Sequence, residues 1–369
     1  MKRAIIACIV LLVFLAACQP QPTDPQPVFT PSAESTATPI PLPAAAPKVV
    51  ASLSGVIWTF DISPDNNTIA FATSKGLELY DLKTFAHLRT LDKDENVYCL
   101  SWSPDGTKLA VGVLALLPNP TGVSGGKAIL KVWDTSNWQV VFQPDFSDSM
   151  VNERILRLAF SPDSKLLAFS ADVNGVMTLE ISTGKVLSHQ KEYAGSVLDI
   201  AWSPDGSRLV STGDMAYSVR RWKLSDDKGV RLFDQRASNP MEVTWTPDGK
   251  RIVSGHVNGV VCFWTAVTNK CDGFIQAHRS AVFSMALSPD GLKLATGGGV
   301  IRIWDTQTGK LLTSFGLDEK VIYNHLAWVS SGQSLVSLQT GLDDAEVTGV
   351  RLWNISTGAP LVDFLGGKR

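Results

Sequence analysis

The amino-acid sequence predicts an all-β domain made of seven similar units of four strands each. A tight-turn signal of the form Ser-Pro-Asp-Gly recurs seven times, in steps of 40, 58, 42, 43, 42 and 41 residues. Large and small residues alternate just before each turn, which is the pattern of a strand packed on both faces. Internal repetition at this period is typical of a fold in which stacked repeats share one continuous core.

The first 17 residues predict an export signal peptide. A basic start (Lys2, Arg3) precedes an apolar run over residues 4–14, which is too short to span a bilayer as a permanent helix. The sequence Leu15-Ala16-Ala17-Cys18 that follows resembles the lipobox of bacterial lipoproteins. The resemblance implies cleavage before Cys18, acylation of its thiol, and anchoring to a membrane without a spanning helix. The alternative is an ordinary cleaved signal with a chance cysteine.

Residues 18–47 predict a disordered tether. They are mostly Pro, Thr, Ser, Ala and Gln with almost no aliphatic periodicity. Such a composition buries too little apolar surface to offset the entropy of ordering. A Pro-rich spacer of this length extends over several tens of Å, roughly, so it would lift a folded domain clear of a lipid surface.

The recurring turn in the remaining domain, residues 48–369, is chemically suited to join two strands. Proline presets φ at the first corner, Asp hydrogen-bonds the backbone that follows, and Gly accepts a positive φ. The seven turns begin at Ser63, Ser103, Ser161, Ser203, Thr246, Ser288 and, in a degenerate form, Val329.

The positions around each turn place the strands. A first strand ends on a large residue just before the turn: Ile62, Trp102, Phe160, Trp202, Trp245, Leu287 and Trp328. A second strand carries an aliphatic residue six positions after each turn begins: Ile69, Leu109, Leu167, Leu209, Ile252, Leu294 and Leu335. A third strand ends at Tyr80, Trp133, Leu179, Trp222, Trp264, Trp304 and Trp353, and a fourth follows a second turn.

The Trp-Asp pairs at 133–134 and 304–305, with Ser-Pro-Asp-Gly upstream and Thr-Gly-Lys downstream of the second pair, look like WD repeats. The resemblance covers about residues 49–365 and implies a seven-bladed β-propeller of four-stranded antiparallel blades around a central channel. It departs from the family pattern in one respect, because the Gly-His pair usual before the first strand survives only as Ala277-His278. Both 49–53 and 360–365 resemble a closing fourth strand, and we expect the N-terminal segment to complete the last blade.

Composition restricts the partners and chemistry. The formal charge is −2, becoming about −4 without Lys2 and Arg3, and no basic stripe is visible, so nucleic acid is not expected as a partner. Cys262 and Cys271 fall on adjacent strands, as a disulfide or as two buried free thiols. Enzyme signatures and C-x-x-C metal spacings are missing, so the sequence predicts no catalysis, no cofactor and no metal.

Three long connections point to one face of the disc. Insertions at 114–126 and 339–349 lie between second and third strands, and 143–154 joins the second blade to the third. In antiparallel blades these connections emerge on the side opposite the Ser-Pro-Asp-Gly turns. Because function in repeat folds tends to lie on the variable loops of one face, we expect the partner there.

The candidate binding face combines two acidic loops with a ring at the channel mouth, four or five residues before each turn. The candidate residues are Trp58, Tyr98, Arg157, Asp199, Glu242, Phe283, His325, Asp343, Asp344 and Glu346. Arg157 and Asp199 occupy equivalent positions of adjacent blades, and we expect them to pair. The alternative role of the ring is hydrogen bonding between blades.

The sequence therefore predicts a monomeric, extracytoplasmic, lipid-anchored scaffold that binds a protein or peptide. Two alternatives stay open. A glycan or cell-wall binder would use exposed aromatics, for which Trp58 and Tyr98 are the candidates. A propeller enzyme would need acid, base or metal groups clustered at the channel mouth.

Overall fold

The chain folds into seven β-sheets, in a computed structural model that describes residues 47–116, 126–144, 155–171, 175–190, 196–213, 219–224, 226–316, 321–329, 332–341 and 347–368. The predicted signal peptide, Cys18 and residues 18–46 of the predicted tether lie outside the described residues. So do the acidic residues of the predicted 143–154 connection, Asp145, Asp148 and Glu153, and the candidate residues Asp343, Asp344 and Glu346.

Each sheet is a blade in which four consecutive strands pair antiparallel. Blade 1 consists of β2 (Ile57–Ile62), β3 (Thr68–Thr73), β4 (Gly76–Asp81) and β5 (His87–Leu91). Blade 2 consists of β6 (Asn96–Trp102), β7 (Lys108–Leu116), β8 (Gly126–Asp134) and β9 (Gln139–Phe142). Blade 3 consists of β10 (Ile155–Phe160), β11 (Leu166–Ala171), β12 (Val176–Glu180) and β13 (Val186–Gln190). Blade 4 consists of β14 (Val197–Trp202), β15 (Arg208–Gly213), β16 (Val219–Lys223) and β17 (Asp226–Leu232). Blade 5 consists of β18 (Pro240–Trp245), β19 (Arg251–His256), β20 (Val260–Thr265) and β21 (Cys271–Gln276).

Blades 6 and 7 complete the ring. Blade 6 consists of β22 (Ser284–Leu287), β23 (Lys293–Gly297), β24 (Ile301–Asp305) and β25 (Leu311–Phe315). Blade 7 contains β26 (Val321–Trp328), β27 (Ser334–Gly341), β28 (Val347–Asn354) and β29 (Pro360–Lys368). The first strand of each blade contacts the first strand of the next, and β26 contacts β2. The first strands therefore line a closed central channel, and the seven-bladed propeller predicted from the repeats is confirmed.

The Ser-Pro-Asp-Gly turns form as their chemistry predicts. In blade 4, the Ser203 hydroxyl donates to the Asp205 carboxylate at 2.5 Å, and Gly206 N–H donates to the Ser203 carbonyl at 2.9 Å with φ at +70°. Hydrogen bonds from Ser203 and Ser207 lower the pKa of Asp205 to about 2. Asp205 is thus a turn residue that stays ionised at neutral pH.

Four of the five third-strand tryptophans, Trp222, Trp264, Trp304 and Trp353, pack in the core and hydrogen-bond the second strand of their own blade. The indole Nε1 of Trp222 donates to Ser211 Oγ at 2.7 Å, and that of Trp304 donates to Thr296 Oγ1 at 2.9 Å. The His278 ring lies 2.9 Å from the same Thr296 hydroxyl. Blade 6 thus keeps a buried network of His, Thr and Trp that ties its loop to its strands.

The expectation for ring closure is wrong. The fourth strand of blade 7 is β29, from the C-terminal end, and the N-terminal β1 (Lys48–Ser52) pairs with it in parallel as a fifth, outermost strand. Leu53 N–H continues this pairing with a 2.7 Å bond to the Leu365 carbonyl. Both segments are used because β29 fills the blade and β1 then covers the free edge of β29.

Of the two alternatives for Cys262 and Cys271, the structure has the free thiols. Both side chains are buried in blade 5, and the Cys271 thiol donates to the Gly273 carbonyl at 3.2 Å. Cysteine here acts as a small core hydrophobe.

Candidate binding site at the channel mouth

A cavity of about 320 Å³ opens where the first strands begin, at the mouth of the channel. Six of the candidate residues line it together: Trp58, Tyr98, Arg157, Asp199, Glu242 and His325. They come from blades 1, 2, 3, 4, 5 and 7, and meet because they hold the same or adjacent repeat positions on strands that converge on one axis. Their role in binding stays a prediction, but the fold brings them into one site.

Blade 6 departs from this pattern. Phe283 is not among the cavity-lining residues, and Met285, two positions later, lines the cavity instead. The first strand of this blade begins only at Ser284, and Phe283 N–H turns back to the Gly297 carbonyl at 2.9 Å. Phe283 therefore lies outside the lining, and the blade contributes Met285, which holds the same repeat position as the lining residues Phe60 and Val243.

Acidic side chains at the mouth cap the open edge of the next blade's first strand. Asp199 Oδ2 accepts from Val243 N–H at 2.9 Å, and Glu242 Oε2 accepts from Met285 N–H at 2.7 Å. Asp61 Oδ2 likewise accepts from the backbone N–H of Trp102 at 2.9 Å. Each carboxyl group satisfies a donor that faces the channel instead of a neighbouring strand. The role of interblade hydrogen bonding, left open by the sequence, is therefore present.

The mouth raises the pKa values of its carboxyl groups, so that Glu242 stays mainly protonated at neutral pH. Burial, followed by the charge of Asp199, raises the pKa of Glu242 to about 8. Burial raises the pKa of both Asp61 and Asp199 to about 6. The free-energy cost of removing these carboxylates from water exceeds the stabilisation from their backbone hydrogen bonds, so the cavity favours the protonated forms.

Arg157 is the cationic side chain among the residues that line the cavity. Its Nε lies 3.7 Å from Asp199 Oδ1, as expected from their equivalent positions, and 47% of its side chain is exposed. His325 adds no charge, because burial and the nearby Arg157 lower its pKa to about 4. Its ring packs edge-on against Phe60, with centroids 4.7 Å apart.

An aromatic pair forms the wall on the side of blades 1 and 2. The rings of Trp58 and Tyr98 stack with centroids 5.0 Å apart and planes 19° apart. Trp58 Nε1 donates to Asn96 Oδ1 at 2.8 Å, which fixes the indole across the blade boundary. Both side chains stay partly exposed, so the pair offers a rigid apolar surface beside the carboxyl groups.

Two of the predicted insertions lengthen hairpins on the same face. In blade 2, β7 and β8 each run for nine residues, with Leu114 opposite Ala128. In blade 7, β27 and β28 each run for eight residues, with Gln339 opposite Gly349. Because blades 7 and 2 are the neighbours of blade 1, the long hairpins flank the blade that carries Trp58.

A larger depression of about 380 Å³ lies on the opposite face, between the turns of blades 5 and 6. Its lining includes Thr246, Asp248 and Asp290, whose side chains form hydrogen bonds within their own turns. Thr246 Oγ1, for example, donates to Asp248 Oδ1 at 2.6 Å. We favour the channel mouth because its charged groups converge from several blades and its carboxyl groups have strongly raised pKa values.

Sequence reasoning missed Asp61 and Met285 as mouth residues. Asp61 stands two residues before its turn, where six of the seven repeats have Ser, Ala or Thr. A carboxylate at a position otherwise held by small residues was the signal that could have identified it.

Comparison with known proteins supports a WD-repeat propeller. The profile described as "WD domain, G-beta repeat" matches residues 82–134, 184–234, 237–265 and 269–305. A second, described as "Anaphase-promoting complex subunit 4 WD40 domain", matches residues 131–205. In the crystal structure of the Mitotic Checkpoint Complex, one chain aligns with a TM-score of 0.64 and 17% identity, over 87% of this chain and 92% of that one. That likeness concerns the fold alone.

Two curated proteins illustrate the sequence relatives. Anaphase-promoting complex subunit cdh1 of Dictyostelium discoideum is 26% identical over 82% of this chain and 36% of its own length. Autophagy-related protein 16 of Arabidopsis thaliana is 27% identical over 50% of this chain and 36% of its own length. The chain therefore spans well under half of these relatives.

The described part of the chain has neither a metal-binding cluster nor a membrane-spanning helix. Its residues include no group of three or more His, Cys, Asp or Glu side chains arranged to hold a metal ion. Nor do they form a helix with the length and hydropathy needed to cross a bilayer.

Proposed function

We propose that this protein is a non-catalytic scaffold that binds a protein or peptide at the channel mouth and its flanking hairpins. The WD-repeat relatives suggest a protein-interaction scaffold as the general role. The observation that carries the site is the convergence of charged and aromatic side chains from six blades on one cavity. A concave site with a few convergent polar groups on an apolar wall suits recognition of a ligand.

The proposal extends to location. Cys18 would be acylated and would hold the propeller on the outer side of a bacterial membrane, with residues 18–47 as a tether. The sequence Leu15-Ala16-Ala17-Cys18 after a basic, then apolar, start supports this. Replacement Cys18→Ser should move the protein from the membrane fraction to the soluble fraction and abolish labelling by a fatty-acid analogue. Membrane retention without label would contradict the anchor.

Site-specific crosslinking tests the binding face. A photoreactive amino acid at Tyr98, in the mouth, should capture a partner in intact cells, and the same group at Leu292, on the opposite face, should not. Leu292 is 47% exposed and Tyr98 is partly exposed, so both positions are open to reaction. The captured band should weaken in a Trp58→Ala background and persist with Lys250→Ala. Equal capture from both faces would overturn the choice of site.

A glycan binder is the second candidate, and the stacked Trp58 and Tyr98 pair favours it. Titration with a panel of sugars should change tryptophan fluorescence if an exposed aromatic face receives a sugar ring. A response that Trp58→Phe abolishes would support this candidate. No response to any sugar in the panel would remove it.

A further inference from the structure

We propose that the channel mouth receives a cationic side chain, lysine or arginine, from the bound protein or peptide. This inference rests on the proposed binding role of the mouth and names the chemistry recognised there. It follows from three features of the cavity: an imbalance of charge, acceptors already fixed in place, and an apolar wall that fits an alkyl stem.

The first feature is the imbalance. Three carboxyl groups line the cavity, those of Asp61, Asp199 and Glu242, against the guanidinium of Arg157. Arg157 lies 3.7 Å from Asp199 and is about half exposed, with its Nη1 engaged by the Leu156 carbonyl at 3.0 Å. A buried carboxylate is stable only when it is paired, so the site as it stands has room for one more positive charge.

The second feature is that the acceptors are held in position. Backbone N–H groups of the next blade fix one oxygen each of Asp199 and Glu242, at 2.9 Å and 2.7 Å. An ionised carboxylate has about four lone-pair sites, so each group keeps capacity for a ligand donor. Their backbone partners orient the carboxyl groups but supply no formal charge.

The third feature is the wall formed by the Trp58 and Tyr98 stack, and Met285 adds a further apolar residue to the lining. Lysine and arginine bury an alkyl stem along apolar surface while the charged head reaches a polar partner, and aromatic faces attract cations. The wall and the carboxyl groups therefore favour the same kind of ligand for independent reasons. An anionic side chain would meet one guanidinium and three acidic groups.

Binding of a cation should be linked to release of a proton. The groups that share the cavity with Glu242 are Asp199, Arg157, Asp61, His325, Cys99 and Tyr98. Burial and the charge of Asp199 keep Glu242 largely protonated at pH 7, with its pKa near 8. A ligand cation lowers that pKa, so the complex releases protons and affinity rises as pH is raised from 6 to 8.

Calorimetry with short peptides tests the proposal. The probes are end-blocked Ala-Lys-Ala and Ala-Arg-Ala, with Ala-norleucine-Ala and Ala-Glu-Ala as controls and n-butylammonium as a free amine. At least one cationic peptide should bind ten or more times as tightly as the norleucine and glutamate peptides. Heats in two buffers of different ionisation enthalpy should show proton release at pH 7. If the cation belongs to a protein or peptide, n-butylammonium should bind more weakly than the cationic peptides. Equal affinity would overturn the peptide part of the proposal.

Isosteric variants separate charge from structure. Glu242→Gln should abolish proton release, and Asp199→Asn should weaken cationic binding about tenfold because it removes a carboxylate. Both variants should keep the bond between blades, since an amide oxygen still accepts from the next blade. Arg157→Gln should strengthen cationic binding several-fold, since it removes a competing charge. Each variant's thermal unfolding confirms that it is folded.

Several results would overturn the inference. They are preference for the glutamate peptide, loss of binding in Arg157→Gln, proton release unchanged in Glu242→Gln, and no binding of any cationic peptide. If crosslinking at Tyr98 still captured a partner in that case, the binding face would stand and only its proposed charge preference would fail.

Discussion

Arg157 Nε lies 3.7 Å from Asp199 Oδ1, joining the first strands of blades 3 and 4. Asp199 in turn accepts from the backbone of blade 5, and Glu242 of blade 5 accepts from that of blade 6. Titratable side chains thus link four consecutive blades around the channel mouth. Because the pKa values of the carboxyl groups are raised, the stability of the ring depends on pH.

Between pH 6.5 and 8, the free energy of unfolding should fall as pH rises. The folded state holds a proton on Glu242 up to a pKa of about 8, whereas the unfolded chain loses it near the ordinary glutamate value, so folding binds a proton in this window. Glu242→Gln should reduce the fall in unfolding free energy between pH 6.5 and 8 by about 1 to 2 kcal/mol. Urea titrations at four pH values measure it, with Asp205→Asn as the control, since Asp205 stays ionised throughout. An unchanged slope in Glu242→Gln would contradict the raised pKa.

Below pH 6.5, stability should fall as the solution becomes more acidic. Burial lowers the pKa of His256 and His325 to about 4 and that of His278 to about 3. The unfolded chain takes up protons at these positions near pH 6.5, so acid favours unfolding. Asp61, Asp199 and Glu242 act in the opposite sense and offset most of this effect, whereas turn carboxylates with lowered pKa values, such as Asp205, add to the loss of stability in acid. Stability measured from pH 4.5 to 8 should therefore peak near pH 6.5, and a maximum at pH 5 or below would refute this account.

Removing one interblade indole bond should be costly, and removing an unpaired indole should not. Trp202 Nε1 donates to the Ala159 carbonyl of the preceding blade at 2.9 Å, whereas the buried Trp245 Nε1 has no hydrogen-bond partner among the described residues. Trp202→Phe should lose about 1 kcal/mol more stability than Trp245→Phe. Chemical denaturation of both variants provides the comparison, and equal losses would show that the indole bond contributes nothing.

The outermost strand of blade 7 should be dispensable for folding, and its neighbour should not. Ala51 pairs with Phe364 across a parallel ladder that has β1 on its outer edge. Ala51→Pro should lower stability by about 1 to 3 kcal/mol and leave the propeller folded, because β29 already completes the blade. Phe364→Pro, in a strand paired on both sides, should prevent folding. Near-ultraviolet circular dichroism distinguishes these outcomes, and a reversed order would indicate that β1 closes the ring alone.

Two glycines with positive φ should differ in their tolerance of alanine. A Cβ on Gly259 would lie 1.9 Å from the His278 carbonyl oxygen, whereas one on Gly249 would have its nearest neighbour at 3.8 Å. Gly249→Ala should lose about 1 kcal/mol from backbone strain alone, and Gly259→Ala several times as much because the backbone must move. Thermal melts of the pair measure the difference. Similar melting temperatures would mean that the loop before β22 shifts easily.

Much of this fold was predictable because its information is local. Ser203, Asp205 and Gly206 form their turn from their own hydrogen bonds, and the tryptophan at 222 is buried wherever such a strand stacks on a neighbour. The meeting of Arg157 and Asp199 also followed from equivalent repeat positions. Phe283 was misplaced because the late start of β22 depends on its contact with Gly297, which no repeat spacing records.

The sequence by itself determined the number of blades, the turns, and most of the side chains that face the channel, since these follow from periodicity and turn chemistry within each repeat. Only the tertiary structure decided how the ring closes, that Asp61 and Met285 join the mouth, and that Glu242 keeps a proton near neutral pH. Those properties depend on strands and charges far apart in the chain, and the balance between burial and pairing exists only once the blades have come together.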